Sequence, residues 1–335
     1  MNAARSVGEP DRKPPLPSVV RFQVPDNRRA VVQILNSFLP YLGTWALMIV
    51  ALKISFWLSL AMAPLAAGFL IRIFIISHDC GHRSFVSSHR VSDWIGYITG
   101  VLTFTPFFYW THQHAIHHAT AGNLDRRGAG DIWTLTLREY RDASSGLRFG
   151  YRVFRNPFVM FVVGPAFLFL IKNRFARPGS SWRWHRSVLF TNLGILVLMA
   201  VIIATLGWRT YLMIQLPVIL LAGIGGVWLF YVQHQFEEGY WRRTGAWNYY
   251  EAAVQGSSFY RLPKVLQWFS GNIGFHHIHH LSPRIPNYTL PQCHAETASA
   301  LRFKTLGLRE SLDCLRMRVW DEDGDRMIGL GPAFL

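Results

Sequence analysis

Long apolar stretches separated by short polar turns dominate the hydropathy pattern of this chain. The first covers residues 38–76 and is interrupted only by Lys53 and Arg72. At about 1.5 Å per helical residue it is long enough for two membrane crossings, and Lys53 lies where a hairpin would turn back at the interface. The pattern therefore predicts two transmembrane helices, over residues 38–53 and 56–76.

A second pair of apolar stretches covers residues 187–206 and 211–231, with a short link between them. It predicts another helical hairpin, so four transmembrane helices are expected in all. Two weaker segments, 94–110 and 157–171, are short for a membrane span and are expected at the interface or packed inside the protein. The predicted fold is an all-α integral membrane protein whose two hairpins carry a cytoplasmic helical cap.

The two ends of the chain are more polar than its middle. Residues 1–35 begin with a stretch rich in proline and charge, which predicts a disordered cytoplasmic tail. Residues 36–325 are expected to form the membrane domain, and residues 326–335 a C-terminal tail.

Composition and charge favour a membrane protein. Half of the residues are hydrophobic and 16% are charged, against about 25% charged residues in soluble domains. The net charge is +15, but the basic residues lie beside apolar spans and no nucleic-acid-binding motif occurs, so nucleic acid is not expected as a partner. Basic residues concentrate before residue 31 and in segment 121–186 and are almost absent from the two outer turns, which predicts cytoplasmic termini and large loops.

Histidines are clustered in a way that predicts metal binding. Ten of the fourteen lie in three segments that together hold 17 residues, namely 78–82 (HDCGH), 112–118 (HQHAIHH) and 276–280 (HHIHH). Spacings of i, i+4 in the first box and i, i+3, i+4 in the others place imidazoles on one face of a helix. Neutral imidazole is a good ligand for iron, zinc, copper or nickel. The ligand candidates are His78, His82, His114, His117, His118, His276, His279 and His280.

The number of candidates bears on how many metal ions are bound and on the topology. Eight imidazoles exceed the four ligands of one tetrahedral zinc site, so two metal ions are expected. All three boxes must lie on one side of the membrane to converge, and two complete hairpins achieve this. A single crossing by residues 157–171 would place the third box on the opposite side, so that segment is not expected to cross alone.

The three boxes, their order and their positions after membrane hairpins resemble the membrane fatty acid desaturases. The resemblance is close over residues 230–237 (FYVQHQFE) and 276–288 (HHIHHLSPRIPNY), which look like the bacterial acyl-lipid desaturases related to the plant Δ12/ω-6 enzymes. It implies an enzyme that introduces a cis double bond into the acyl chain of a membrane lipid. Its cofactor would be two iron ions held by histidine, and its co-substrate O₂. It also implies a location in the bacterial inner membrane, with the site facing the cytoplasm.

A separate electron donor is expected, because no haem or dinucleotide motif occurs in the sequence. The resemblance implies a ferredoxin-like or cytochrome b5-like partner. No carboxylate occupies a ligand position in the boxes, which separates the predicted site from the glutamate-rich soluble di-iron bundles.

His234 is a ninth ligand candidate. It follows the fourth predicted span as His78 follows the second, and a lone histidine between the second and third boxes resembles the arrangement in the desaturases. With nine imidazoles, two irons would have four and five histidines. The alternative is a histidine that only hydrogen-bonds at a helix end.

Several other residues have weaker signals. Five are candidates to accept the second ring N–H of ligand histidines, with an ordinary surface or capping role as the alternative: Asp79, Asp131, Glu237, Glu238 and Asn272. His112 and His277 break the box spacing and are expected to support the site or lie at the interface. His89, His185 and His294 lack ligand-like companions and are expected to be ordinary histidines.

Two other functions remain open from the sequence. A di-iron hydroxylase of the same superfamily, acting on alkanes, carotenoids or sphingolipids, would share the boxes. A membrane metal transporter would need polar or charged residues inside the spans, whereas these histidines lie at the span ends or beyond.

Overall fold

Fourteen α-helices and five short strands make up the described part of the chain, residues 18–128 and 130–331 of a computed structural model. In chain order the helices are α1 (Asn27–Leu52), α2 (Phe56–Gly81), α3 (His89–Leu102), α4 (Phe107–Thr120), α5 (Leu137–Asp142), α6 (Ser145–Phe154), α7 (Gly164–Leu170), α8 (Trp182–Leu206), α9 (Trp208–His234), α10 (Tyr249–Gln255), α11 (Lys264–Phe269), α12 (His276–Leu281), α13 (Leu290–Thr297) and α14 (Glu310–Asp313). The first 17 residues, which belong to the predicted tail, and the last four lie outside the described part.

Four of the described helices, α1, α2, α8 and α9, are long and apolar enough to cross a membrane. They are the four predicted spans, which are thereby confirmed as helices of sufficient length and apolarity. Each hairpin turns sharply. The Ser55 side chain caps α2 by accepting the Trp57 N–H at 3.2 Å, and Gly207 joins α8 to α9 with a φ of 82°, a conformation that favours glycine.

The hairpin helices continue beyond the predicted apolar segments at the end that carries the histidines. α1 begins at Asn27, where the Asp26 carboxylate accepts the Arg29 N–H at 3.0 Å. Its polar residues Gln33 and Ser37 are buried against the rest of the protein. The predicted tail boundary at residue 35 is therefore wrong, because the helix extends past its apolar segment and packs through polar side chains.

Small side chains let the two hairpins pack closely. Ala63, Ala66 and Ala67 of α2 are buried with Ile214 and Val218 of α9 in the largest core of the hairpins. In contrast, α8 exposes a row of large apolar side chains, Leu193, Leu196, Val197 and Val201. An exposed apolar surface of this kind is typical of contact with lipid.

The two weaker apolar segments form short helices. Residues 94–110 are divided between α3 and α4; α3 packs against α2, and its buried Gly96 and Gly100 lie against Phe107 of α4. Residues 157–171 form the second arm of a helix pair bent by 65°, and this arm exposes Phe158 and Phe167. That arm is long and apolar enough for a membrane span only when α6 is counted with it. Whether it crosses alone stays a prediction.

The segments outside the two hairpins contain two small sheets that the all-α prediction did not include. β1 (Leu135–Thr136) pairs in parallel with β4 (Val319–Asp321), which pairs antiparallel with β5 (Arg326–Ile328). β2 (Phe259–Tyr260) pairs in parallel with β3 (Thr305–Leu306). Because β5 belongs to a sheet, the predicted C-terminal tail beginning at residue 326 starts too early.

Candidate metal centre

Four segments of the chain bring histidines to one place at the ends of the hairpin helices. His78 lies in the last turn of α2 and His82 caps that helix, while His234 is the last residue of α9. The second box lies on α4 and the third on α12. The predicted helical spacing of the boxes is confirmed, and all nine predicted ligand candidates meet in one cluster.

The nine imidazoles divide into two groups. Five of them offer ligand atoms that all lie within 4.8 Å of one another: His78, His82, His114, His118 and His279. A second group with the same property contains His117, His234 and His280. His276 joins this second group, because its Nε2 lies 2.9 Å from Nε2 of His234. The division is therefore five and four.

Two buried carboxylates bind the outer ring nitrogens of this cluster. His78 Nδ1 donates to Asp79 Oδ1 at 3.0 Å, and His117 Nδ1 donates to Asp131 Oδ1 at 2.6 Å. Each group thus contains one histidine whose ring contacts an aspartate, and Asp79 and Asp131 are two of the five predicted proton acceptors. An ionised carboxylate only accepts, so both rings carry their proton on Nδ1 and keep a lone pair on Nε2.

The second group contains two lone pairs that face each other. His234 Nδ1 lies 3.3 Å from the Gly256 carbonyl oxygen, which places its proton on Nδ1 and a lone pair on Nε2. The Nε2 atoms of His117 and His234 are nevertheless only 3.3 Å apart. Two lone pairs at this distance repel, whereas a cation beside them would bind both, so this half of the cluster fits a metal ion.

The first group shows a similar crowding of nitrogen atoms. His118 Nε2 lies 3.0 Å from His279 Nε2 and 3.1 Å from His114 Nε2. His82 Nε2, and His280 Nε2 in the second group, are buried without a hydrogen-bond partner among the described residues. Buried polar atoms rarely stay unpaired, and a metal ion would provide the missing partner.

Burial favours the neutral form of most of the clustered imidazoles. Desolvation, and then the neighbouring imidazoles, lower the pKa of six box histidines well below their usual range: His82, His114, His118, His276, His279 and His280. Neutral imidazole is the form that binds metal ions. These six imidazoles can therefore bind cations without first losing protons.

Three of the predicted proton acceptors do not touch the cluster. Glu237 lies near Arg326, and Glu238 pairs with Lys304 on the exposed surface, because the chain leaves the cluster after α9 ends at His234. Asn272 donates to the Asn287 carbonyl oxygen at 3.1 Å. It therefore contacts a neighbour of Asp79 rather than a ring nitrogen.

Asn287 is a site residue that the sequence analysis did not single out. Its backbone N–H and its side-chain Nδ2 donate to Asp79 Oδ2 at 2.6 and 2.8 Å. It thereby holds the carboxylate that orients His78. The only sequence signal for this role was its place in the 276–288 motif.

The remaining histidines lie outside the cluster. His112 stacks on Trp184, with ring centroids 4.4 Å apart. His277 is buried and its Nε2 lies 3.1 Å from Nδ1 of His294. His277 therefore pairs with His294 rather than with a clustered imidazole, and His294 is not an isolated residue. Because the spacing rule links neighbours on one helix, it gave no signal for this pair between α12 and α13.

Comparison with known proteins places this site in a family. The sequence model of a family described as fatty acid desaturase matches residues 55–311. A Bacillus subtilis protein named "Fatty acid desaturase" is 47% identical over 92% of this chain and 88% of its own length. An sn-1 oleoyl-lipid 12-desaturase of Picosynechococcus sp. is 28% identical over 80% of this chain and 76% of its own length.

A relative from Nostoc sp. carries the name "sn-1 acyl-lipid omega-3 desaturase (ferredoxin)". It is 28% identical over 65% of this chain and 61% of its own length. The family match covers well over half of the chain and includes all three histidine boxes. The chain is therefore an enzyme of the fatty acid desaturase family.

Proposed function

We propose that this enzyme introduces a cis double bond into the acyl chain of a membrane lipid, using O₂ and two iron ions held by the nine clustered histidines. The observation that carries the proposal is the division of the imidazoles into groups of five and four, with Nε2 atoms crowded together in each group. Iron bound there would supply the redox chemistry by which two hydrogens removed from adjacent carbons combine with O₂, two electrons and two protons to give two waters.

The residues of the chain hold protons and exclude water. Asp79 and Asp131 keep the protons of His78 and His117 on Nδ1, so that both Nε2 lone pairs point into the cluster. Beside the second group lies a void of about 10 Å³, which has room for about one water molecule. So small a void leaves little room for bulk water beside the second group.

The distribution of basic residues indicates how the protein is oriented in the membrane. We infer that the histidine-bearing ends of the hairpins face the cytoplasm of a bacterial inner membrane, since basic residues concentrate on the segments at those ends. Metal transport is less well supported, because the imidazoles lie at the helix ends and not along a path between the hairpins.

Iron content tests the metal assignment. We expect the purified, active enzyme to hold about two irons per chain, since the ligands form two groups. Mass spectrometry would measure the iron content of the purified enzyme. Fatty-acid analysis of a host that lacks other desaturases and expresses this enzyme would measure its activity. Full activity with zinc alone would overturn the proposal, because zinc has no redox chemistry. A hydroxylated product in place of an unsaturated one would assign the enzyme to the hydroxylases.

The electron donor is expected to be a separate acidic protein. The chain carries a net charge of +15, and a relative of this enzyme has ferredoxin in its name. A ferredoxin-like partner would be attracted by long-range electrostatics that salt screens. We therefore expect the apparent KM for the donor to rise with ionic strength while the KM for lipid changes less. Turnover with NADH and the purified enzyme alone would contradict this inference.

A further inference from the structure

A cleft of about 420 Å³ opens beside the hairpin of α1 and α2, and none of the nine clustered histidines lines it. Its lining includes Arg28, Arg29, Gln33 and Asn36 of α1, Arg72 of α2, and Tyr288. Arg28 and Arg29 are exposed in the first turn of α1, whereas Arg72 is buried deeper along the hairpin. The cleft therefore runs from the exposed end of α1 toward the interior.

Positive charge dominates this cleft. It holds three guanidinium groups and a single carboxylate, Asp26. Asp26 Oδ1 already accepts the Arg29 N–H at 3.0 Å, where it caps α1. Among the described residues, no carboxylate lies within ion-pair distance of Arg28, Arg29 or Arg72. A buried cation without a counter-ion is costly inside a membrane hairpin, so an anionic ligand would stabilise Arg72.

Two buried donors in the cleft have no partner among the described residues. They are Gln33 Nε2 and Arg72 Nε, and both side chains are more than nine-tenths buried. The rest of the Arg72 guanidinium is fixed. It donates to the Trp268 carbonyl and, at 3.4 Å, to Asn36 Oδ1, and it lies 4.0 Å from the centre of the Trp268 ring. The Nε–H is therefore held in place without an acceptor.

We propose that this cleft binds the phosphate of a phospholipid headgroup. A phosphate offers several acceptor oxygens that match guanidinium donors, and the first turn of α1 adds the positive end of a helix dipole. The proposal rests on the membrane placement inferred above, in which this end of the hairpin lies among the lipid headgroups. Arg28 and Arg29 would meet the phosphate at the interface, and Gln33 and Arg72 would hold it from below.

The cleft is also connected to the metal centre. Arg72 lies six residues before His78 on α2, or about 9 Å along the helix axis. Tyr288 lines the cleft next to Asn287, which holds the Asp79 carboxylate. Arg29 donates to the Tyr288 carbonyl at 2.6 Å. A phospholipid bound here would thus have its headgroup close to the segment that orients His78.

Lipid binding to the full-length enzyme tests the proposal without requiring turnover. Native mass spectrometry of delipidated protein in detergent would compare phosphatidylglycerol, an uncharged galactolipid and inorganic phosphate. We expect Arg28→Gln combined with Gln33→Leu to weaken phosphatidylglycerol binding by about tenfold or more. The same variant should leave galactolipid binding unchanged. Arg209→Gln, at the opposite end of the hairpins, is the matched control and should bind like the wild type.

Several results would overturn the proposal. Equal phosphatidylglycerol affinity in the double variant and the wild type would remove the cleft as the site, as would a galactolipid affinity matching that of phosphatidylglycerol. Inorganic phosphate binding as tightly as the lipid would identify a free-phosphate site instead. A more conservative variant, Arg72→Lys, keeps the buried charge and should retain phosphatidylglycerol binding better than Arg72→Gln if folding is preserved. Because binding is measured without catalysis, an inactive enzyme would leave this test intact.

Discussion

Replacing His234 by alanine is expected to abolish desaturation and to lower the iron content of the enzyme. His234 Nε2 lies 3.3 Å from His117 Nε2 and 2.9 Å from His276 Nε2, so its imidazole lies at the centre of the second group. We expect activity to fall by more than about 100-fold, because losing only an orienting partner of a metal ligand already costs 10–100-fold. Turnover and bound iron are the two measurements.

His112→Ala is the matched control for this experiment. It removes an imidazole from the second box that stacks on Trp184 outside the cluster, and it should keep both irons and most of the activity. If His234→Ala retains two irons and near-normal desaturation, His234 is not a ligand and the site has eight. If His234 only formed a hydrogen bond at a helix end, its replacement by alanine would instead lower the free energy of unfolding by about 1 kcal/mol.

Changing Asp131 to asparagine is expected to lower activity by about 10–100-fold, with weaker retention of iron. The carboxylate accepts the His117 Nδ1 proton at 2.6 Å. An amide in its place can donate to Nδ1, which would move the ring proton to Nε2, the atom that faces His234. Release of iron to a chelator, followed over time together with turnover, would show the effect.

Glu238→Gln is the control for the aspartate change. Glu238 pairs with Lys304 on the exposed surface, and loss of an exposed ion pair costs about 0–1 kcal/mol. This variant should release iron at the wild-type rate. Equal iron retention in Asp131→Asn and Glu238→Gln would mean that the carboxylate does not fix the ring of His117.

Local patterns made the helices and the boxes predictable. Apolar length identifies α2 and α9, and spacings of i, i+3 and i+4 identify which imidazoles share a helix face. Neither pattern indicates where a chain turns after a helix ends. Glu237 and Glu238 follow His234 directly, yet they point to the surface because the chain leaves the cluster there.

Contacts between distant segments were not predictable from one sequence. Asn287 binds Asp79 across 208 residues of chain, and no local signal links the two. The start of α1 was missed for a different reason. Its first turns include the buried polar side chain of Gln33, which a search for apolar segments assigns to the tail.

The wide separation of the histidines along the chain determines the order in which the protein can be assembled. His118 and His279 meet at 3.0 Å although 161 residues separate them. During synthesis both hairpins are therefore made before the last three of the nine imidazoles. Loading of the proposed metal ions would thus be a late event, and a bound ion would then close very long loops of chain, which is where a cross-link stabilises a fold most. A nascent chain that stalls before residue 276 would hold six of the nine imidazoles and lack the three that complete the two groups.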